Sequence, residues 1–176
     1  MEKNWLVQMQ QNQLAKLMDT NRYTEKFGLA LTEQDVRLIA GARQNTLKEQ
    51  RRVEIGESIL PKIIFEFCDS AYINQSSYRD TIIRLQDIFF LYKNETQDEI
   101  TDDELLHFMK EQFETVCSGD LDYLESTCLS AFAQAIRAGY RGYCGSDGYS
   151  EYTKLDAVPR WDYELYHQAL KELLGE

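Results

Sequence analysis

The sequence predicts an all-α fold, a single-domain bundle of six to seven helices that takes in residues 1–176. Apolar residues recur at helical spacing in successive segments, and capping or stop residues separate those segments. Only residues 52–56 alternate as a strand would, and no partner strand accompanies them, so we expect a turn or a short extended piece there. A hydrophobic fraction of 43% with 12% aromatic residues is typical of a chain that buries a core.

The clearest helix is predicted over residues 78–92, where five apolar residues form one helical stripe. Four further apolar residues lie off that stripe, as expected of a central helix that is covered on most sides. We therefore expect this helix to be the structural axis of the bundle. The stripe consists of Tyr78, Ile82, Leu85, Phe89 and Tyr92, and the additional residues are Ile83, Ile88, Phe90 and Leu91.

Three helices are predicted before the axis. The first covers residues 4–19, with Gly28 as a later stop signal. The second begins at a capping box, Thr32-Glu-Gln-Asp35, in which Asp replaces the usual Glu or Gln, and the third begins near Ser58 and Pro61. The residues expected to face inward are Leu6, Met9, Leu14, Leu17 and Met18, then Val36, Ile39, Ala40 and Leu47, then Ile59, Ile63, Ile64 and Phe67.

Two or three helices follow the axis, for which Asn74 is the expected cap and Asn94 the expected end. Thr101-Asp-Asp-Glu104 is a capping box for the fifth helix, and Asp120 is the expected cap of the sixth. Residues 139–160 form a Tyr/Gly-rich loop before a last helix, so residues 138–176 are predicted to be a C-terminal loop and helix appended to the bundle. The inward stripes are Leu105, Phe108, Met109, Phe113 and Val116, then Leu121, Leu124, Cys128, Phe132, Ala135 and Ile136.

The net charge of −11 argues against binding to nucleic acids or to anionic membranes, because both require a basic surface. Residues 1–56 carry a net charge of +2 and residues 57–176 carry −13. Between residues 94 and 136, Lys110 is the single basic residue against eleven acids. The basic residues of the second helix and its end are Arg37, Arg43, Lys48, Arg51 and Arg52.

The N-terminal residues contain no basic leader followed by an apolar run, so we expect no signal peptide. No stretch approaches the roughly 20 apolar residues of a membrane span. The expected location is the cytoplasm, where cysteines stay reduced. The four cysteines are Cys68, Cys117, Cys128 and Cys144, and their spacing contains no close pair.

Residues 93–104 are similar in outline to an EF-hand loop, since Glu104 stands at position 12, where a bidentate carboxylate belongs. Lys93, however, stands at position 1, where the first carboxylate must coordinate calcium, and Asp98 replaces the glycine of position 6. The segment is better interpreted as a turn between two helices, and we expect no metal and no cofactor.

The sequence contains no set of residues with the spacing of a known catalytic or metal site. Ligands for zinc would have to be gathered by the fold, because neither Cys-x-x-Cys nor His-x-x-x-His spacing occurs. Cys68 and Cys128 lie on apolar stripes and are expected to be buried. Cys144 lies among glycines near Arg141, which would favour a reactive thiolate, but an incidental loop thiol is the preferred interpretation. The glycines of the loop match no phosphate-binding pattern.

Several blocks of the chain together resemble a family of uncharacterised bacterial proteins, a domain of unknown function, over roughly residues 20–138. The resemblance implies a cytoplasmic bacterial protein and carries over no catalytic or binding residue. The blocks are Lys26-Phe-Gly-Leu-Ala-Leu-Thr, Leu60-Pro-Lys-Ile-Ile-Phe-Glu-Phe-Cys-Asp-Ser, Leu85-Gln-Asp-Ile-Phe, Lys93-Asn-Glu-Thr, Thr101-Asp-Asp-Glu-Leu and Gly119-Asp-Leu-Asp-Tyr-Leu.

The preferred functional hypothesis is a non-enzymatic module that binds another protein, with a basic partner or a second copy of the chain as candidates. Tyrosines on a glycine-rich loop offer rigid contact area, although a structural role, in which they pin the loop and the last helix to the bundle, is favoured for them. The alternative is an enzyme or a small-ligand binder with a pocket between helices near that loop. The candidate interaction residues are Asp98, Glu99, Asp102 and Asp103, then Tyr140, Tyr143, Cys144, Tyr149 and Tyr152.

Overall fold

The computed structural model describes residues 2–54 and 58–139, and all regular structure within them is helical, which confirms the all-α prediction. The chain divides into two compact units, Met1–Phe90 and Leu91–Glu176. The Tyr/Gly-rich loop after Gly139 and the last helix lie outside the described residues. The single domain over residues 1–176 stays a prediction.

The helices follow one another with short connections. In chain order they are α1 (Glu2–Asp19), α2 (Asn21–Thr24), a 3-10 turn (Glu25–Phe27), α3 (Glu33–Glu49), α4 (Leu60–Phe67), a second 3-10 turn (Gln75–Ser77), α5 (Tyr78–Glu95), α6 (Asp102–Glu114), α7 (Leu121–Tyr123), a π-helical segment (Leu124–Cys128) and α8 (Leu129–Arg137).

The first unit is formed by α1 to α4 and by most of α5. Helix α1 contacts α3 and α4, but only its second half provides buried surface, because the described side chains of residues 4–12 are all exposed. The prediction that Met9 faces inward was therefore wrong, whereas Leu17 is buried as expected. Leu14 and Met18 are half-buried. Trp5 and Val7 add to the exposed apolar surface of this helix.

Helix α3 begins as the sequence predicts. Thr32 accepts a hydrogen bond from the Asp35 amide while the Asp35 carboxylate accepts one from the Thr32 amide, so both halves of the capping box are present. Val36 and Ile39 are buried. Arg43, one of the basic residues of this helix, is also buried: its guanidinium pairs with Glu54, and Ala40 and Leu47 on either side are half-buried.

Helix α4 begins at Leu60, with Pro61 in the first turn, where its missing N–H costs little. Ile59 is the capping residue, and Ser58 contributes by accepting a hydrogen bond from the Leu60 amide at 3.2 Å. The four apolar residues predicted to face inward are buried, and so is Leu60, which makes α4 a core helix despite its length. The buried residues are Ile59, Leu60, Ile63, Ile64 and Phe67.

Helix α5 is the predicted axis, and its whole apolar stripe is buried. Asn74 caps the 3-10 turn that leads into it by accepting a hydrogen bond from the Ser77 amide. The helix runs one residue past Asn94. Within the first unit, the Thr46 hydroxyl of α3 donates a hydrogen bond to the Asp87 carboxylate, which ties α3 to α5.

The second unit contains the end of α5 and helices α6 to α8. The predicted sixth helix consists of three parts, because a π-helical segment separates α7 from α8. Asp120 caps α7 through the Tyr123 amide, and Gly119 before it has a φ of +84°, a conformation that glycine adopts without strain. The aromatic rings of Phe108 and Phe132 stack at 3.8 Å and join α6 to α8.

Candidate functional site

The turn between α5 and α6 is the segment with an EF-hand outline, and the structure shows a lysine at its centre. The Lys93 side chain is only 8% exposed. Its ammonium donates a hydrogen bond to the Ile100 carbonyl at 2.8 Å and lies 2.9 Å from Asp102 Oδ1 and 3.6 Å from Asp98 Oδ1. The positive charge that a metal ion would supply to such a loop is thus carried by the chain itself.

The backbone wraps around Lys93 through two left-handed residues, Gln97 and Asp98, with φ values of 57° and 55°. The Asp98 amide donates to the Lys93 carbonyl at 2.9 Å. Thr96 is fully buried and its hydroxyl donates to the Tyr92 carbonyl at 2.7 Å. A positive φ is unfavourable for residues with a Cβ, so the surrounding hydrogen bonds must hold this turn in place.

Glu104, which occupies the calcium-coordinating position of the EF-hand pattern, is engaged in a helix cap. Its carboxylate accepts a hydrogen bond from the Thr101 amide at 2.9 Å, and the Thr101 hydroxyl accepts one from the Glu104 amide at 3.2 Å. The predicted capping box is confirmed. The described residues contain no group of three or more His, Cys, Asp or Glu side chains arranged to hold a metal ion.

The structure brings four of the predicted interaction residues together at this turn. Asp98 and Asp102 are about half exposed, with side-chain exposures of 53% and 50%, although both face Lys93. Glu99 and Asp103 are exposed as well. We call Asp98, Glu99, Asp102 and Asp103 the acidic surface. The other predicted residues, Tyr140, Tyr143, Cys144, Tyr149 and Tyr152, lie outside the described part of the chain.

A second surface feature, which contains none of the predicted interaction residues, lies in the first unit. Tyr23, Phe27 and Phe65 form an aromatic cluster with edge-to-face contacts: the ring centroids are 6.0 Å apart for Tyr23 and Phe27 and 5.4 Å apart for Tyr23 and Phe65. Each of these residues is between 40% and 48% exposed. The Lys26 ammonium lies 3.9 Å from the centre of the Tyr23 ring, a cation–π contact at the rim.

The sequence held one signal of this aromatic cluster. Tyr23 and Phe27 are four residues apart, which places them on one side of a helical turn. Phe65 arises from α4, on the side away from its buried stripe. Joining the two segments requires the tertiary packing, so spacing alone does not reveal the cluster.

A small cavity of about 190 Å³ also lies in the first unit, between α1, α3 and the start of α4. Arg43 reaches its wall but is paired with Glu54, so its charge is already compensated. The lining residues are Met9, Asn12, Gln13, Lys16, Leu17, Ala40, Arg43, Ser58, Leu60 and Pro61.

Three cysteines are described, and all are buried without forming a disulfide bond among the described residues. This confirms the expected burial of Cys68 and Cys128. The Cys128 sulfur lies 3.5 Å from that of Cys117, so the fold forms a close pair that the sequence spacing did not suggest.

No described helix combines the length and the apolar character that a membrane span requires. No curated protein matches this chain. No solved structure matches it either. The model of a family of unknown function, DUF6323, matches residues 16–142, a range that includes every block on which the family resemblance was based. The chain therefore belongs to the DUF6323 family.

Proposed function

We propose that the protein is a non-enzymatic interaction module of the bacterial cytoplasm, and that the aromatic cluster is its docking surface for another protein. The supporting observation is the exposure of three mutually contacting aromatic rings on one face of the first unit. Contiguous exposed aromatic surface is uncommon on proteins that act alone, and aromatic side chains dominate the energetic centres of protein interfaces.

Lys26 indicates the chemistry of the partner. Its ammonium lies over the Tyr23 ring at the edge of the cluster, where it would meet a carboxylate on an approaching chain. The occupant that fits is a peptide segment with one large apolar side chain, to bury against Phe27 and Phe65, next to an Asp or Glu. Arg22, which pairs with Asp19 three residues earlier, adds positive charge close to this segment.

The test uses defined peptides with one Phe or Leu anchor flanked either by glutamates or by lysines. Fluorescence polarisation should show binding of the glutamate-flanked peptides and at least about tenfold weaker binding of the lysine-flanked ones. Phe65→Ser should weaken binding by about tenfold or more. Leu38→Ser is the matched control, because Leu38 is an equally exposed apolar residue on α3 outside the cluster.

Equal binding of both peptide sets, or an unchanged affinity of Phe65→Ser, would contradict a role of the aromatic cluster. The circular dichroism spectrum and melting temperature of each variant must match those of the wild type. Light scattering at micromolar concentration distinguishes a peptide-binding monomer from a protein whose cluster is covered by a second copy of the same chain.

The acidic surface is proposed as a second contact, for a basic partner. Lys93 fixes the turn that carries it, while Glu99 and Asp103 stay exposed. Binding of a Lys-rich peptide should weaken steeply as salt increases. The double variant Glu99→Gln/Asp103→Asn should reduce that binding, whereas Asp122→Asn, an exposed acid on α7, should not. Salt-independent binding would argue against this surface.

The small cavity supports the second candidate function, the binding of a small ligand. Its mixed lining of apolar and amide side chains is typical of ligand sites, although its volume of about 190 Å³ suits only a small molecule. A fragment that occupies it should raise the melting temperature of the wild type. The same fragment should have no effect on Ala40→Phe, in which the added ring fills the space.

A further inference from the structure

Two cysteine sulfurs face each other inside the second unit. Cys117 Sγ and Cys128 Sγ are 3.5 Å apart, although eleven positions separate the residues in sequence. Cys117 is 6% exposed and Cys128 is completely buried. Two thiols in contact within a helical core are a specific arrangement, since either residue alone would serve equally well as a small apolar side chain.

The backbone around both cysteines departs from regular α-helix. Cys117 follows the end of α6, and its amide donates to the Gln112 carbonyl at 2.9 Å, a wider turn than that of an α-helix. Ser118 then has a φ of +47° and Gly119 one of +84°. Cys128 ends the π-helical segment. π-helical turns inside helices are frequently found at functional positions.

We propose that Cys117 and Cys128 form a reversible intrachain disulfide when the protein meets a small peroxide. A disulfide bond is about 2.05 Å long, so the two sulfurs must approach by about 1.5 Å in total. A rotation of either side chain together with a slight shift of the irregular turn after α6 provides that movement. Cys117, the less buried of the two residues at 6% exposed, is the one that the peroxide reaches, and Cys128 is the resolving thiol.

The hydrogen bond between the thiols prepares this reaction. Donation from the Cys117 thiol lowers the pKa of Cys128, and the same hydrogen bond, together with burial, raises the pKa of Cys117. The pair therefore loses its first proton at Cys128. Passage of the Cys117 proton to the Cys128 thiolate along this hydrogen bond then gives the Cys117 thiolate, which is the form that attacks the peroxide oxygen.

The steps balance. Attack of the Cys117 sulfur breaks the O–O bond, gives a sulfenic acid at Cys117 and releases hydroxide, which takes up a proton to become water. The Cys128 sulfur then attacks the Cys117 sulfur, the S–O bond breaks, and the hydroxyl leaves with the Cys128 proton as a second water. Two thiols lose two electrons in total, and one peroxide is reduced to two waters.

The bond would connect the link after α6 with the π-helical segment before α8. These are the helices that the Phe108–Phe132 stack already joins. A disulfide at this point would close the chain over residues 118–127 and restrict local opening of α6 from α8. The reduced protein would regain that freedom when a thiol reductant breaks the bond.

The test uses the full chain, treated with hydrogen peroxide in buffer and then alkylated. Free thiols should fall from the four cysteines of the sequence to about two, and peptide mass mapping should show the Cys117 and Cys128 peptides joined and about 2 Da lighter. Dithiothreitol should restore all four. The bridge should still form in Cys68→Ser and in Cys144→Ser, which retain both partners.

Two further variants locate the steps. Cys128→Ser should stop at a sulfenic acid on Cys117 that a dimedone reagent traps, and Cys117→Ser should show neither bridge nor sulfenic acid at position 128. The wild type oxidised in urea should lose its selectivity for this pair. An unchanged thiol count, a bridge to Cys68 or Cys144 in folded protein, or the same pairing in urea would overturn the proposal.

Discussion

Lys93 Nζ lies 2.9 Å from Asp102 Oδ1 while it donates a hydrogen bond to the Ile100 carbonyl, so one buried ammonium connects the end of α5, the turn and the start of α6. A long flexible side chain is held here in one arrangement because three oxygen acceptors converge on its end. The turn between the two helices is therefore stabilised by a side chain of the protein itself.

Replacing Lys93 with Met should lower the free energy of unfolding by about 1–3 kcal/mol, because the buried Ile100 carbonyl loses its donor. Urea denaturation measures the loss. Arg37→Met is the control: Arg37 pairs with Glu33 at 2.7 Å on an exposed face of α3, and we expect a loss below about 0.5 kcal/mol. Equal losses in the two variants would show that Lys93 has no special role.

Calcium should neither release heat on titration into the protein nor raise its melting temperature. The Lys93 ammonium stands at the first coordinating position of the loop, and the Glu104 carboxylate at the last is occupied by the Thr101 amide. Isothermal calorimetry checks the first expectation and thermal melting the second. A saturable calcium heat that disappears in Glu104→Gln would contradict this account.

Gln86→Leu should stabilise the protein. Gln86 is completely buried on α5, and among the residues that the structure describes neither polar atom of its amide has a hydrogen-bond partner. Removing an unpaired buried amide is expected to raise the free energy of unfolding by about 1–2 kcal/mol. The same change at Gln75, whose amide makes two 2.8 Å hydrogen bonds to Ala30, should instead lower it. A destabilised Gln86→Leu would indicate a partner for that amide.

Stability should decline between pH 10 and pH 12. Burial raises the pKa of Tyr78 to about 12, and burial with the nearby Glu125 and Glu95 raises that of Tyr92 to about 12. The folded state holds these protons more tightly than the unfolded state does. The resulting contribution to the free energy of unfolding is therefore complete below the unfolded pKa of 10.0 and is lost as the pH rises towards the folded pKa. A pKa shift of this size corresponds to about 3 kcal/mol of the free energy of unfolding for each tyrosine.

Tyr78→Phe isolates one of these contributions. The variant should lose less stability than the wild type between pH 10 and pH 12, as measured by urea denaturation at several pH values. Tyr92→Phe should also reduce the loss of stability between pH 10 and pH 12. This variant additionally lacks the hydrogen bond from the Tyr92 hydroxyl to the Glu125 carbonyl. Parallel curves for wild type and Tyr78→Phe would show that the buried tyrosine does not titrate in this range.

The buried ion pair of Arg43 and Glu54 should respond asymmetrically to mutation. Both side chains are only about one-tenth exposed, and Glu54 also accepts the Ile59 amide at 2.9 Å. Arg43→Met leaves a buried carboxylate without its cation and should cost about 3 kcal/mol or more. The double variant Arg43→Met/Glu54→Leu should recover part of that loss. Additive losses in the double-mutant cycle would mean that the two residues are not coupled.

The features that the sequence predicted correctly are those fixed by local chemistry. The capping boxes at Thr32 and Thr101 need only residues within one turn, and the stripe from Tyr78 to Tyr92 needs only helical periodicity. The sequence also places Lys93 where the EF-hand pattern has its first carboxylate, and the expectation that calcium does not bind stays a prediction.

The features that escaped prediction depend on contacts between distant segments. Arg43 is one of several basic residues on its helix, and nothing in the spacing predicts its burial. That burial depends on Glu54, which lies in an irregular connection and pairs with it. The approach of Cys117 to Cys128 depends on a left-handed turn and a π-helical segment, neither of which has a reliable pattern in sequence. Met9 continues an apolar stripe, yet this residue is 40% exposed, because periodicity does not show where a core ends.

The lysine at the centre of the turn has a consequence for how this region responds to its surroundings. A cation attached to the chain has no dissociation constant, so its occupancy is independent of ion concentration and of chelators. The contacts that Lys93 makes with the Ile100 carbonyl and with Asp102 therefore need no ion from solution. A turn that a bound ion holds in an EF-hand is here held by a side chain of the chain itself.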